Sequence, residues 1–290
     1  MISRENFRDC IEEMMKLAAT RLPADVIEKL KESRKREENP IAKSQLETII
    51  QNLEVAEEKQ KPLCQDTGVP IFFIKAPEKN ELDFSIRKTI EESVKRATKS
   101  VPLRPNIVDP LTRKNSGDNT GEGHPLINYE FGKRENIEVN LLMKGAGSEN
   151  WSELKMMNPT SDREDIKARV VELIKRAGGQ TCPPNIIGIG LGGTADRAAL
   201  LAKKALLRPL DDENETEKLD ELEKEITEAS NELGIGPMGL GGKTTVLGTK
   251  IEKAGCHTAS LPLAINIQCW AERRSKAVLK DNQYRIEVPK

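Results

Sequence analysis

Residues 61–74 read Lys-Pro-Leu-Cys-Gln-Asp-Thr-Gly-Val-Pro-Ile-Phe-Phe-Ile. The run from Val69 to Ile74 is apolar and bounded by turn residues, the pattern of a buried strand. Pro62 and Gly68 punctuate the polar residues before it. Cys64, Gln65, Asp66 and Thr67 are therefore expected on a tight loop feeding a sheet. A thiol, an amide, a carboxylate and a hydroxyl on consecutive residues at such a junction suggest a site. A turn with one buried cysteine is the bland alternative.

The chain has 290 residues, enough for one large domain or two small ones. Hydrophobic residues are 37% and charged residues 32%, so the core is lean and the surface heavily charged. A net charge of −1 argues against a nucleic-acid groove or a basic membrane patch. No apolar run is long enough to span a bilayer, and the first residues lack the apolar core of a signal peptide. A soluble cytoplasmic protein with no membrane or nucleic-acid partner is expected. The five cysteines, Cys10, Cys64, Cys182, Cys256 and Cys269, are odd in number and contain no C-x-x-C. That excludes a disulfide scaffold and disfavours a zinc ribbon. With only His124 and His257, a histidine-rich zinc site is disfavoured too.

Outward from the central strand, residues 4–60 carry helical spacing, with Asn39 as an N-cap before Pro40. Cys10 falls in the first of these helices as a packing residue. Leu82 to Ser100 is again helical. Residues 104–125 then lose all periodicity and gather Pro, Gly, Asn, Asp and Thr, which suggests a functional loop rather than a surface insertion. Leu126–Phe131 and Ile137–Met143 alternate and read as a hairpin. Lys144 to Asn150 follows, with glycines that let backbone amides approach a ligand. Thr160 or Ser161 caps a helix from about Arg163 to Arg176, stopped by Gly178-Gly179. Asn185 to Thr194 reads as strand and glycine loop leading into a helix over 195–207, whose N-terminus would suit a carboxylate. Gly188, Gly190 and Gly193 satisfy G-x-G-x-x-G only formally, because too little strand precedes them. Residues 211–233 form an acidic helix. A second glycine-rich stretch, Gly234 to Thr245, has Pro237 where a P-loop needs glycine. Ser260 to Ile267 is a strand, and Tyr284 to Val288 a short edge strand. The expected fold is a single α/β domain over residues 1–290, with mixed sheets surrounded by helices and an N-terminal helical segment.

Cys64, Cys182, Cys256 and Cys269 all fall at strand ends or in glycine/proline loops. Buried packing is the usual role of unpaired cysteines. Thiolates gathered from distant segments would instead select a soft metal or an iron–sulfur cluster. Three thiolates would leave one iron without a protein ligand, able to act as a Lewis acid toward a small acid.

At this point the chain resembles the alpha subunits of two-subunit, iron–sulfur class I fumarate hydratases and tartrate dehydratases. The resemblance runs over nearly the whole length. It is carried by Cys-Gln-Asp-Thr-Gly at 64–68, Leu-Arg-Pro-Asn at 103–106, Lys-Gly-Ala-Gly-Ser-Glu-Asn at 144–150 and Cys-Pro-Pro at 182–184. Gly-Gly-Thr-Ala-Asp at 192–196, Cys-His-Thr-Ala-Ser-Leu-Pro at 256–262 and Asn-Ile-Gln-Cys-Trp-Ala-Glu-Arg-Arg at 266–274 complete it. The resemblance implies a 4Fe–4S cluster held by Cys64, Cys182 and a third cysteine. The family places a substrate-contacting histidine twelve residues before that third ligand, which selects Cys269 over Cys256. It further implies substrate contacts at Gln65, Arg104, Gly147 and His257, and a catalytic role for Asp66. The implied reaction is reversible hydration of fumarate to L-malate, a small dicarboxylate, with tartrate dehydration or mesaconate hydration as alternatives. The implied partner is a beta subunit that completes the site, in a hetero-oligomer with two copies of each subunit. A nucleotide-binding protein using the two glycine loops, and a non-enzymatic scaffold, are the rivals from other classes.

Overall fold

The computed structural model describes residues 2–79 and 82–287. The chain divides into two compact units. The first comprises the chain up to Ala24, Asn52–Ala146 and the chain from Arg273 onward; the second comprises Asp25–Gln51 and Gly147–Glu272.

The first unit is built on the central run. Strand β1 (Val69–Pro77) is buried along almost its whole length. Such a strand needs neighbours on both edges to satisfy its backbone, and it has them. Strand β2 (Leu126–Gly132) pairs with it in parallel and β3 (Ile137–Lys144) antiparallel. The alternating runs expected to form a hairpin therefore do not pair with each other; β1 lies between them. The reason is burial: a hairpin of β2 and β3 would leave the more apolar β1 with an open edge. Strands β8 (Arg274–Lys280) and β9 (Gln283–Glu287) complete a five-stranded sheet of order β2-β1-β3-β8-β9 among the described residues. The expected edge strand is thus β9, and Val288 lies outside the described residues.

Helix α1 (Arg4–Thr20) starts at Ser3, whose hydroxyl accepts from the Asn6 amide. Its stripe Phe7, Cys10, Ile11, Met14, Met15 and Ala18 is buried. Together with α4 (Ile86–Ser100) it covers Phe72, Ile74, Val139 and Leu141 of the sheet. Burial pushes the Cys10 thiol up to about 12, which suits packing and not chemistry.

In the second unit the described strands form a four-stranded sheet of order β4-β7-β5-β6. The strands are β4 (Glu153–Met157), β5 (Asn185–Gly192), β6 (Val246–Ala254) and β7 (Leu261–Gln268). Strand β5 pairs parallel with β6 and antiparallel with β7. Strands β4, β6 and, in the other sheet, β8 escape a sequence reading. Each is short or rich in charged and small residues, and only its neighbours identify it.

The expected glycine loop after β5 is shorter than its sequence suggests. Gly188 and Gly190 lie inside the strand. A Cβ on Gly190 would fall 1.9 Å from the Ala198 carbonyl oxygen, and one on Gly188 2.2 Å from that of Ala202. Both carbonyls belong to helix α7 (Ala195–Ala205), so these glycines are notches that let the helix lie on the strand. Only Gly192 and Gly193, at φ +84° and +71°, make the turn. Helix α6 (Arg163–Ala177) begins at Arg163 as expected, but Thr160 and Ser161 do not cap it. Its cap is Asp162, in a reciprocal capping box with Asp165. The acidic helix is α8 (Glu217–Asn231), shorter at both ends than its charge run.

The second glycine-rich stretch carries no phosphate cradle. The Lys243 amide donates to Glu37 Oε2 (2.7 Å), and a Cβ on Gly242 would meet the same oxygen at 2.8 Å. Glu37 ends the segment after helix α2 (Ala24–Arg36) and is buried. Asn39 caps α3 (Pro40–Lys59) as expected, accepting from the Ile41 amide at 2.9 Å. A carboxylate of the protein itself thus occupies the amide-rich turn, which removes the physical basis for nucleotide binding there.

Candidate active site

The first unit carries Cys64, Gln65, Asp66 and Arg104. The loop before β1 is anchored by Leu63, whose amide donates to the Ala19 carbonyl (2.9 Å) and whose carbonyl accepts from Asn52 Nδ2 (2.9 Å). With Leu63 pinned and buried, Cys64 and Gln65 are pushed out into solvent. Asp66 turns back and is held on both oxygens. Oδ1 accepts from the Gly68 amide (3.0 Å) and from Asn106 Nδ2 (3.3 Å), and Oδ2 from the Ala146 amide (2.8 Å). Gly68 is required at this turn. It has φ +83°, and a Cβ there would lie 2.7 Å from the Met143 carbonyl.

The aperiodic stretch 104–125 folds back onto this loop. Thr67 Oγ1 donates to the Arg104 carbonyl (3.4 Å), and Asn106 Nδ2 also donates to the Gly68 carbonyl (3.1 Å). Asn119 is the hub. It is 1% exposed at φ +61°, its Oδ1 accepts from the Asn106 amide (2.6 Å), and its Nδ2 donates to the Arg104 carbonyl (3.0 Å). The Arg104 backbone is therefore fixed while its side chain is exposed. Asn106 sits inside a motif already singled out. Asn119 gave no signal beyond being an Asn that tolerates a left-handed conformation.

The second unit carries Gly147, Cys182, Cys256, His257 and Cys269. Its antiparallel pair β5/β7 decides which of these meet. Cys182 precedes the start of β5 and Cys269 follows the end of β7, so antiparallel pairing brings the two to the same end of this strand pair. The Trp270 amide donates to the Cys182 carbonyl (3.3 Å), and Asn185 Nδ2 donates to the carbonyls of Thr181 (3.0 Å) and Gln268 (3.2 Å). Cys182 is held at φ +52°, ψ +63°, a left-handed conformation costly for a residue with a side chain. Such strain persists where the surroundings enforce it, commonly at functional sites. Gly147 lies at this end too, since a Cβ on it would touch the Gln180 carbonyl at 3.7 Å. The short helix α5 (Ala146–Glu149) that bears it is tied to β7 through Asn266, which donates to Glu149 Oε2 (2.9 Å) and Ser152 Oγ (2.6 Å). Lys203 pairs with the same carboxylate.

His257 and Cys256 lie at the other end of β7. An eight-residue strand separates them from Cys269, roughly 25 Å of extended chain. They border a groove of about 500 Å³ with Gly193, Thr194, Arg197 and Ser260. The Ala259 amide donates to His257 Nδ1 (3.1 Å), so the neutral ring carries its proton on Nε2 and offers a donor outward. The N-terminus of α7, expected to suit a carboxylate, already has one in its first turn. The Thr194 hydroxyl and nearby amides hold the Asp196 carboxyl below its usual range.

None of the five cysteines forms a disulfide. Cys182 and Cys269 are half-buried and Cys64 is exposed, on loops rather than in a core. This donor set fits a thiolate-bound cluster. Among the described residues no three His, Cys, Asp or Glu side chains gather around a single ion. A cubane asks for less, because each thiolate binds a different iron. No helix among the described residues is long and apolar enough to cross a membrane.

Comparison with known proteins places the chain in a family. The fumarate hydratase (fumerase) family model matches residues 8–278. A Methanocaldococcus jannaschii protein, provisionally named L(+)-tartrate dehydratase subunit alpha, is 52% identical over 92% of this chain and 95% of its own. The Escherichia coli K12 L(+)-tartrate dehydratase subunit alpha is 32% identical over 94% of this chain and 93% of its own. A Geobacillus stearothermophilus protein, provisionally named fumarate hydratase class I, is 38% identical over 93% of this chain but only 54% of its own length. The chain therefore belongs to the fumarate hydratase family of hydro-lyases, and it matches the alpha subunits within that family almost end to end.

Proposed function

We propose that this chain is the alpha subunit of a class I hydro-lyase that reversibly hydrates fumarate to L-malate. Its two units would work as one catalytic alpha-subunit domain, and a beta subunit would complete the site. The observation that carries this reading is the delivery of Cys182 and Cys269 to one end of the β5/β7 pair, with Cys256 at the other end. That supports Cys182 and Cys269 as two ligands of a 4Fe–4S cluster, with Cys64, which the family resemblance implies, as the third. When bound, the cluster would supply a Lewis-acidic iron for the hydroxyl and neighbouring carboxylate of the substrate.

The chain's own residues supply the rest. The exposed Arg104 guanidinium pairs with a substrate carboxylate, favoured by its two-pronged donor geometry. The exposed Gln65 amide, one residue ahead of Asp66, supplies a further contact to the substrate. Gly147 has no side chain to keep a ligand from its backbone. Asp66 belongs to the catalytic machinery, and its doubly held carboxylate suits proton handling in a fixed direction.

The test is turnover by the isolated chain, by its beta partner, and by the anaerobic mixture. The mixture is offered fumarate, L(+)-tartrate and mesaconate. Neither subunit alone should turn over, and the mixture should prefer fumarate. Full activity from the isolated chain would overturn the two-subunit reading. Dehydration of L(+)-tartrate is the second reading, favoured by the names of two full-length relatives. A higher kcat/KM for tartrate would establish it. One methyl group is worth only about 1–3 kcal/mol in a pocket, so mesaconate should be a weaker substrate and not an inert one.

His257 needs a separate account, because β7 stands between it and Cys269 in the same unit. In an assembly with two copies of each subunit, we infer that His257 serves the thiol site of the other copy. A Cys269→Ser chain co-expressed with a His257→Ala chain should then recover ~25% of wild-type activity. Hybrids form half of the assemblies, and each has one intact site of two. No recovery above the two single variants would place His257 in the site of its own chain.

A further inference from the structure

Arg273 is among the largest fully buried side chains of the chain, at 1% exposure. The sequence reading carried it inside a motif but attached no role to it. It stands one residue before β8, opposite Met143, and continues the β3–β8 ladder: the Met143 amide donates to the Arg273 carbonyl at 2.8 Å. Its side chain turns inward. Nε donates to the Met143 carbonyl (3.3 Å), while buried Nη1 has no hydrogen-bond partner among the described residues. A guanidinium with an unmet donor, kept out of water, is costly, and a fold that merely needed bulk there would do better with an apolar side chain.

Its neighbour gives the reason. A Cβ built on Gly145 would fall 2.8 Å from Arg273 Nη2 and 3.3 Å from Asp66 Oδ2. The cation and the carboxylate therefore face each other across one glycine, and any side chain at 145 would drive them apart. The next residue, Ala146, donates its amide to that same Oδ2. The end of β3, the Gly145–Ala146 turn and Asp66 are thus one assembly, with Arg273 beneath it.

We propose that Arg273 is a positioning residue: a buried cationic strut that holds the Gly145–Ala146 turn and, through the Ala146 amide and the guanidinium itself, aims the Asp66 carboxylate. It touches neither substrate nor cofactor. The proposal rests on the reading that Asp66 belongs to the catalytic machinery. Misaiming a reacting group by about 1 Å can cost ~100-fold in rate, so the expected defect lies in kcat and not in KM.

The test is a double-mutant cycle in the assembled, anaerobically prepared complex, with Asp66→Asn, Arg273→Met and both together. Arg273→Met should lower kcat ~10–100-fold with KM within about twofold. In the Asp66→Asn background it should lower kcat no further, because there is no carboxylate left to aim. Arg273→Lys, which keeps the charge but not the fork, should recover part of the loss. If Asp66→Asn is silent, the reading of Asp66 fails. If Asp66→Asn is damaging but Arg273→Met is silent or fully additive with it, the strut fails alone. Should Arg273→Met not fold, Arg273→Lys carries the cycle. A Lys variant that is folded and either fully active or additive with Asp66→Asn overturns the proposal.

Discussion

Replacing Cys182 or Cys269 by serine in the anaerobic complex is expected to lower kcat/KM by at least ~10³-fold, and the iron and sulfide content of the complex with it. The argument is local. A serine hydroxyl is a far poorer donor to iron than a thiolate, and the two segments are joined by the Trp270 amide and the Asn185 side chain, which the change leaves in place. The scaffold should therefore survive the change while the metal is lost, and far-ultraviolet circular dichroism should stay close to wild type. Cys256→Ser should keep its full iron content, because that thiol sits at the opposite end of β7. Cys10→Ala should keep iron and activity and lose only packing. Loss of iron from Cys256→Ser with retention in Cys269→Ser would reverse the assignment.

Gly190→Ala is expected to destabilise the second unit by ~3–5 kcal/mol, a large share of the stability of an ordinary domain. The added methyl would start 1.9 Å from the Ala198 carbonyl oxygen and 2.7 Å from the Ala202 amide nitrogen. Both are backbone atoms of a helix and cannot swing away. Relief requires lifting α7 off β5, which opens the contact of Ala198, Ala202 and Ala264. It would also displace the Gly192–Gly193 turn that borders the His257 groove. A urea titration of the isolated chain measures the effect as a lower midpoint. A change under about 1 kcal/mol would mean that the helix slides at little cost, and the notch account would be wrong.

Both cases mark how far a sequence can be read. The glycines of 188–193 looked like a loop because glycine runs usually are loops, and a loop before a helix looks like an anion site. Two of them instead face the backbone of α7, a partner that no local window contains. The hairpin expected from β2 and β3 failed for the same reason. Alternation identifies a strand, but only competition among all strands for the most buried edge decides its partner, and β1 took both. By contrast, the helices of residues 4–60, the Asn39 cap, the buried β1 and the loop positions of Cys64, Cys182 and Cys269 were legible. Each follows from residues within a few positions of one another.

The sequence by itself thus determined most of the elements, the family and the residue types that can carry the chemistry. Periodicity, capping and motif are short-range properties of the chain. Tertiary structure alone decided that Cys182 and Cys269 share an end of the β5/β7 pair while His257 stands at the other. It alone put Arg273 under Asp66 across Gly145 and gave Asn119 its place beneath Arg104. Those are meetings of segments from 15 to 207 residues apart, and they are settled by which backbone edges and apolar faces must be covered at once.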